Sequence, residues 1–130
     1  MMTPELTVLA LAALLQALQI GLAAYAMHRD IGDEWNVGPR DTQPDFAPLT
    51  GRLRRAVDNH FEGLILFAIA VAVVTLGGAA SGLTAACAWI YLVARILYVP
   101  AYAFGWAPWR SAIWAVGFAA TMAMILAALF

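Results

Sequence analysis

The sequence predicts an all-α membrane protein built as a four-transmembrane-helix bundle. Of its 130 residues, 64% are hydrophobic and only 12% are charged, and the mean hydropathy is +0.80. A soluble domain has about 45–50% apolar and about 25% charged residues. Four apolar segments each approach the roughly 20 residues that a helix needs to cross a bilayer. None shows the apolar/polar alternation of a barrel strand, and each is too long to be one. The net charge of −1 gives no electrostatic basis for nucleic-acid binding.

The first helix is expected over residues 5–27. Thr3 supplies an N-cap and Pro4 suits the first helical position, where no backbone N–H is needed. The segment has no basic n-region, and its apolar run exceeds the roughly 7–15 residues of a signal core, so it reads as a retained span. The second helix is expected over 49–76, with only its latter half apolar. The third covers 83–104 and the fourth 109–130. Residues 28–48 form a polar loop rich in Pro, Gly and Asp, whereas "GGAASG" at 77–82 and "GWAPW" at 105–109 are short links. The whole chain, 1–130, reads as one membrane domain. Small residues are dense at 77–82 and in helices one, three and four, which permits close helix approach. Four spans are few for a self-contained site, which favours oligomerisation.

All seven basic residues are Arg. Arg29, Arg40, Arg52, Arg54 and Arg55 lie in or beside the first loop, and Arg110 falls on the same side after two more crossings. The positive-inside rule therefore places the 28–48 loop in the cytoplasm and both termini outside.

Two polar stripes interrupt this apolar pattern. In "RRAVDNHFEG", Arg55, Asn59 and Glu62 are spaced i, i+4, i+7, within roughly 60° on one helical face. Arg52 lies at its edge, Arg54 and Asp58 are spaced to pair on the flank, and His60 points away. In "YLVARILYVPAYAF", Tyr91, Arg95, Tyr98 and Tyr102 form a second stripe. Arg95 lies inside an otherwise uncharged span and needs a partner; Glu62 is expected to supply it, with the two stripes packed inward. A solvated first turn of helix two remains the simpler reading of the first stripe, and an interfacial aromatic belt that of Tyr102. Pro100 removes a helix hydrogen bond between Tyr98 and Tyr102 and predicts a kink. Arg110 is either an interfacial anchor or part of the same pocket; topology alone favours the anchor.

Together these residues describe a cytoplasm-facing polar pocket suited to a small, anionic, hydrogen-bonding ligand. His28 and His60 are the only histidines and Cys87 the only cysteine, so no metal-ligand spacing or intrachain disulfide is expected. Cys87 reads as a buried small residue. No phosphate loop or Ser–His–Asp pattern is present. The five tryptophans read as interface anchors or packing residues.

The residues resemble the MAPEG family, membrane-associated proteins in eicosanoid and glutathione metabolism. The second-helix hallmark R-A-x-x-N-x-x-E stands here as "RAVDNHFE", Arg55 to Glu62. The third-helix hallmark A-R-x-x-[YH]-x-x-x-Y stands as "ARILYVPAY", Ala94 to Tyr102, and an Arg follows at the start of helix four. "NVGPRD" and "YVPAYAFG" resemble a bacterial branch, which implies a bacterial inner membrane. The resemblance covers nearly the whole chain. It implies a homotrimer that binds glutathione as cosubstrate between subunits, near the cytoplasmic side. It also implies a glutathione-binding set of Arg55, Asn59, Glu62, Arg95, Tyr98 and Tyr102, and a catalytic Arg110 that stabilises the thiolate. Arg29 is similar in position to an Arg that reaches the ligand from a neighbour. Two positions depart from the pattern. Gly63 follows the motif Glu where Asn, Tyr or Thr is usual, and Val57 stands where His or Gln is usual.

Two functional readings stay open at this point. One is a glutathione-dependent transferase or peroxidase acting on lipophilic electrophiles that enter from the bilayer. The other is a non-catalytic membrane protein of the same fold whose polar stripes are structural. A transporter is less favoured, because inverted repeats and broken-helix pairs are absent.

Overall fold

A computed structural model describes residues 2–130. Among them are five helices: α1 (Pro4–Ile31), α2 (Asp33–Val37), α3 (Pro48–Leu76), α4 (Gly82–Ala103) and α5 (Trp109–Leu129). All but α2 are long and apolar enough to cross a membrane. The protein is an all-α integral membrane protein with four spanning helices, as the composition predicts. The spans begin and end within one residue of expectation, except that α1 runs four residues further, to Ile31.

Each terminus has a local cause. Thr3 Oγ1 accepts the Leu6 N–H and Pro4 occupies the first turn of α1. The helix stops at Gly32, whose φ of +76° suits a residue without a Cβ. The short α2 that follows was not anticipated: five residues are too few to show a helical period. Its Trp35 donates to the Thr42 carbonyl and meets Phe46 edge-on, so the polar loop folds on its own aromatic pair. A reciprocal Ser81–Thr84 capping box starts α4. Arg52 Nη1 donates to the Ala103 carbonyl, where the last turn of α4 leaves orphan acceptors.

Both α3 and α4 pack against α1 on one side and α5 on the other, and the backbones of α1 and α5 stay apart among the described residues. The core is a layer of Val8, Ala12, Phe67, Ala70, Val71, Val74, Ala88, Tyr91 and Met124. Ala12, Ala70 and Ala88 alternate in it with larger side chains, and these small residues let the helices approach closely without a hydrophobic drive from water. Leu14, Leu18, Ile65, Val93, Leu126 and many other apolar side chains point outward. On a soluble protein they would form an aggregation-prone surface; here they face the bilayer.

At about 1.5 Å per residue, α1 and α3 are each over 40 Å long. The hydrocarbon core is about 30 Å thick. The excess falls at the shared end that carries Arg29, Arg52, Arg54 and Arg55. At the other end Glu5 is fully buried, and its carboxylate accepts the Thr84 hydroxyl.

Candidate functional site

The two stripes do pack together, but the pairing differs from expectation. Arg95 is 3% exposed. Its Nη1 donates to Asn59 Oδ1 at 3.0 Å and its Nε to His60 Nδ1 at 3.2 Å. Its guanidinium also lies 4.4 Å from the Tyr98 ring centroid. No ion pair joins Arg95 to Glu62 among the described residues; Glu62 stays exposed at the cavity mouth. The expected Glu62–Arg95 partnership is therefore replaced by neutral acceptors and an aromatic face. Both can hold a guanidinium without burying a second charge.

His60, expected to point aside with no role, is completely buried. It does turn away from the Arg55–Glu62 stripe, but α1 packs on that side. Its Nε2 donates to the Ala12 carbonyl at 3.0 Å. With Nδ1 accepting from Arg95, the ring is the neutral Nε2–H tautomer. His60 thus joins α1, α3 and α4 at one point.

One turn nearer the arginine-rich end, Arg55 Nε donates to the Tyr102 hydroxyl at 3.1 Å. Arg110 lies over the other part of the same residue, with its guanidinium carbon 4.6 Å from the ring centroid. Tyr98 meets Tyr102 edge-on at 5.6 Å. Asn59, Tyr98, Tyr102, Arg110, Ser111 and Trp114 line a cavity of about 260 Å³. Arg110 therefore joins the tyrosine pocket rather than serving only as an anchor. Among the described residues, neither Arg55 nor Arg110 pairs with a carboxylate.

The remaining positions divide. Arg29 sits 3.6 Å from its neighbour Asp30 at the end of α1. Arg54 stacks on Phe46 at 4.8 Å instead of pairing with Asp58. Val57 faces α1, where its carbonyl accepts from Gln16; the side chain lines a separate groove with Ile20, Ala23 and Met27. Its departure from the family pattern therefore falls outside the Tyr102 cavity. Gly63 lines a second cavity, beside Tyr91 and Arg95.

On α5, sequence reasoning named Arg110 but missed Trp114, Gly117 and Thr121 as cavity-lining residues. Arg110, Trp114, Gly117 and Thr121 fall at i, i+4, i+7 and i+11, the same spacing as the α4 stripe, and all four line these cavities. The spacing was legible. It went unread because one Gly and one Thr give a weak polar signal in an apolar helix. At Gly117 α5 runs close to α4: a Cβ there would meet Ala94 Cβ at 3.6 Å and the Tyr91 ring at 3.7 Å, in ordinary van der Waals contact.

Residues 5–130 match the family model described as MAPEG family. No curated protein matches the sequence.

Proposed function

The chain belongs to the MAPEG family, and we propose that it is a glutathione-dependent transferase or peroxidase acting on lipophilic electrophiles. In this reading it assembles as a homotrimer in a bacterial inner membrane. Glutathione binds between subunits on the cytoplasmic side, with the 28–48 loop on that side and both termini outside.

The observation that carries the reading is the convergence of Arg55 and Arg110 on Tyr102. Two cations without carboxylate partners, beside an amide and two phenols, form a site that lacks negative charge. Glutathione fits that lack: it brings two carboxylates, one ammonium and one thiol. Arg55, Asn59 and Tyr98 offer donors to its carboxylates, and exposed Glu62 suits its ammonium. Arg95 acts beneath them, because its bond to Asn59 Oδ1 orients that amide. Arg29 would reach the ligand from the neighbouring subunit.

Glutathione supplies the nucleophilic sulfur, which forms a bond to the electrophilic carbon as the leaving group departs with its electron pair. Arg110 stabilises the anionic form of that sulfur. It lies in the first turn of α5, so the positive end of the helix dipole acts in the same direction. Ser111 adds a hydroxyl at the same cavity, a donor that strengthens where negative charge gathers.

The test is conjugation of chlorodinitrobenzene by the purified protein in detergent. Wild type is expected to exceed Arg110→Ala by about 100-fold or more, the usual cost of removing a charge-stabilising donor. Equal rates would reject the reading.

A specific observation favours the non-catalytic alternative: Arg95, His60 and Asn59 satisfy one another within the chain. If the polar residues serve only structure, glutathione will leave thermal stability unchanged. A ligand that binds only the folded state raises stability by mass action.

A further inference from the structure

Below the Tyr102 cavity, toward the membrane interior, α3, α4 and α5 border a second, half-open cavity of about 200 Å³. Gly63 leaves its α3 wall without a side chain. A Cβ at that position would lie 3.7 Å from Tyr91 Oη and 4.0 Å from Arg95 Nη1. Any longer side chain would project into the space itself. One unpaired hydroxyl and one guanidinium face the gap. The Tyr91 hydroxyl is buried and makes no hydrogen bond, although its ring is fixed by stacking on Phe67 at 4.0 Å. Arg95 places Nη1 beside the gap and has no carboxylate partner among the described residues. A buried unpaired hydroxyl costs about 1–3 kcal/mol, so this site gains by receiving an acceptor.

The opposite wall is apolar: Leu66, Trp114 and Phe118. An apolar cavity of about 150 Å³ holds a benzene ring, so this one takes a ring or a short branched chain with one polar head. Glu62 sits at the mouth, exposed, and disfavours an acidic head there. The acceptor end therefore points to the floor, toward Tyr91 and Arg95.

We infer that the Gly63 cavity binds a ring-sized lipophilic carboxylate, its carboxylate held by the Tyr91 hydroxyl and the Arg95 guanidinium. The cavity shares Asn59 and Trp114 with the one that holds Arg110. On the thiol-transfer reading, on which this role rests, its occupant is the lipophilic acceptor. The binding itself does not depend on glutathione.

The experiment is thermal unfolding of the full chain in detergent with benzoate, benzylammonium or toluene, and no glutathione. Benzoate is expected to raise the midpoint by about 3 °C or more at concentrations far above its Kd. Toluene should give a smaller rise and benzylammonium none. Gly63→Leu fills the cavity and should abolish the benzoate shift. Tyr91→Phe removes a hydroxyl that has no partner, so it should fold as well as wild type yet bind benzoate about 10-fold more weakly. No benzoate shift in wild type, an equal shift with benzylammonium, or an unchanged shift in Gly63→Leu would each overturn the inference. A parallel titration with glutathione alone reports on the thiol site separately, so failure of one assignment is not mistaken for failure of the other.

Discussion

Arg95 on α4 donates through Nε to His60 Nδ1 on α3 at 3.2 Å, and His60 in turn donates to the Ala12 carbonyl on α1. One neutral imidazole thus links a buried guanidinium to a third helix. The Arg needs no buried carboxylate, and the bundle keeps a single positive charge at its centre.

Replacing His60 breaks both bonds. His60→Ala is expected to cost about 2–4 kcal/mol, since it leaves a charged donor short of an acceptor and opens a cavity. Glu62→Gln, by contrast, should stay within about 0.5 kcal/mol, because the side chain is exposed and unpaired. Unfolding midpoints in one detergent measure both. A salt bridge from Glu62 to Arg95 would reverse the order.

Much of this was legible from spacing, and the failure at His60 has a physical reason. Arg55, Asn59 and Glu62 share a face, as their i, i+4, i+7 spacing requires, and that face does meet the α4 stripe. But α3 has three neighbours, α1 as well as α4 and α5. Periodicity along one helix finds its polar face without revealing that a second face is also buried. The Arg54 prediction failed for a related reason. Helical spacing allows the Asp58 pair, but Phe46 in the folded loop offers Arg54 an aromatic face. Arg110 was ambiguous because the positive-inside rule explains any interfacial Arg; only the meeting of α4 with α5 brings it to Tyr102.

Tyr102 serves two arginines, and its parts are separable. Tyr102→Phe keeps the ring beneath Arg110 and loses only the acceptor for Arg55. On the proposed function, glutathione affinity should fall about 10–100-fold, the worth of one charge-assisted hydrogen bond. Tyr102→Leu removes the ring as well and should weaken binding further. Calorimetric titration of each variant tests the order, and equal losses would show that the ring contributes nothing beyond its hydroxyl.

At the other membrane face, Glu5 and Thr84 tie the start of α1 to the start of α4. Thr84→Val deprives a buried carboxylate of its donor and breaks the capping box, at an expected cost of about 3 kcal/mol. Ser81→Ala removes only the cap, about 1 kcal/mol. Denaturation of the two variants side by side checks the difference.

On the proposed transfer function, stabilisation of the thiolate by Arg110 would also fix the sign of the pH dependence. A nearby cation lowers the thiol pKa, so the reactive anion persists to lower pH. In Arg110→Ala the acid limb of the rate profile should move to higher pH, with a lower plateau. Arg110→Lys keeps the charge and should move the limb less. Rates from weakly acidic to alkaline pH decide this.

The most direct measurement is the ultraviolet absorbance of the glutathione thiolate on the purified protein at neutral pH. Wild type should show the thiolate band, stoichiometric with bound glutathione, and Arg110→Ala should bind glutathione without it. A wild-type complex that lacks the band, or a band of equal strength in both proteins, would contradict the assignment of Arg110 to thiolate stabilisation.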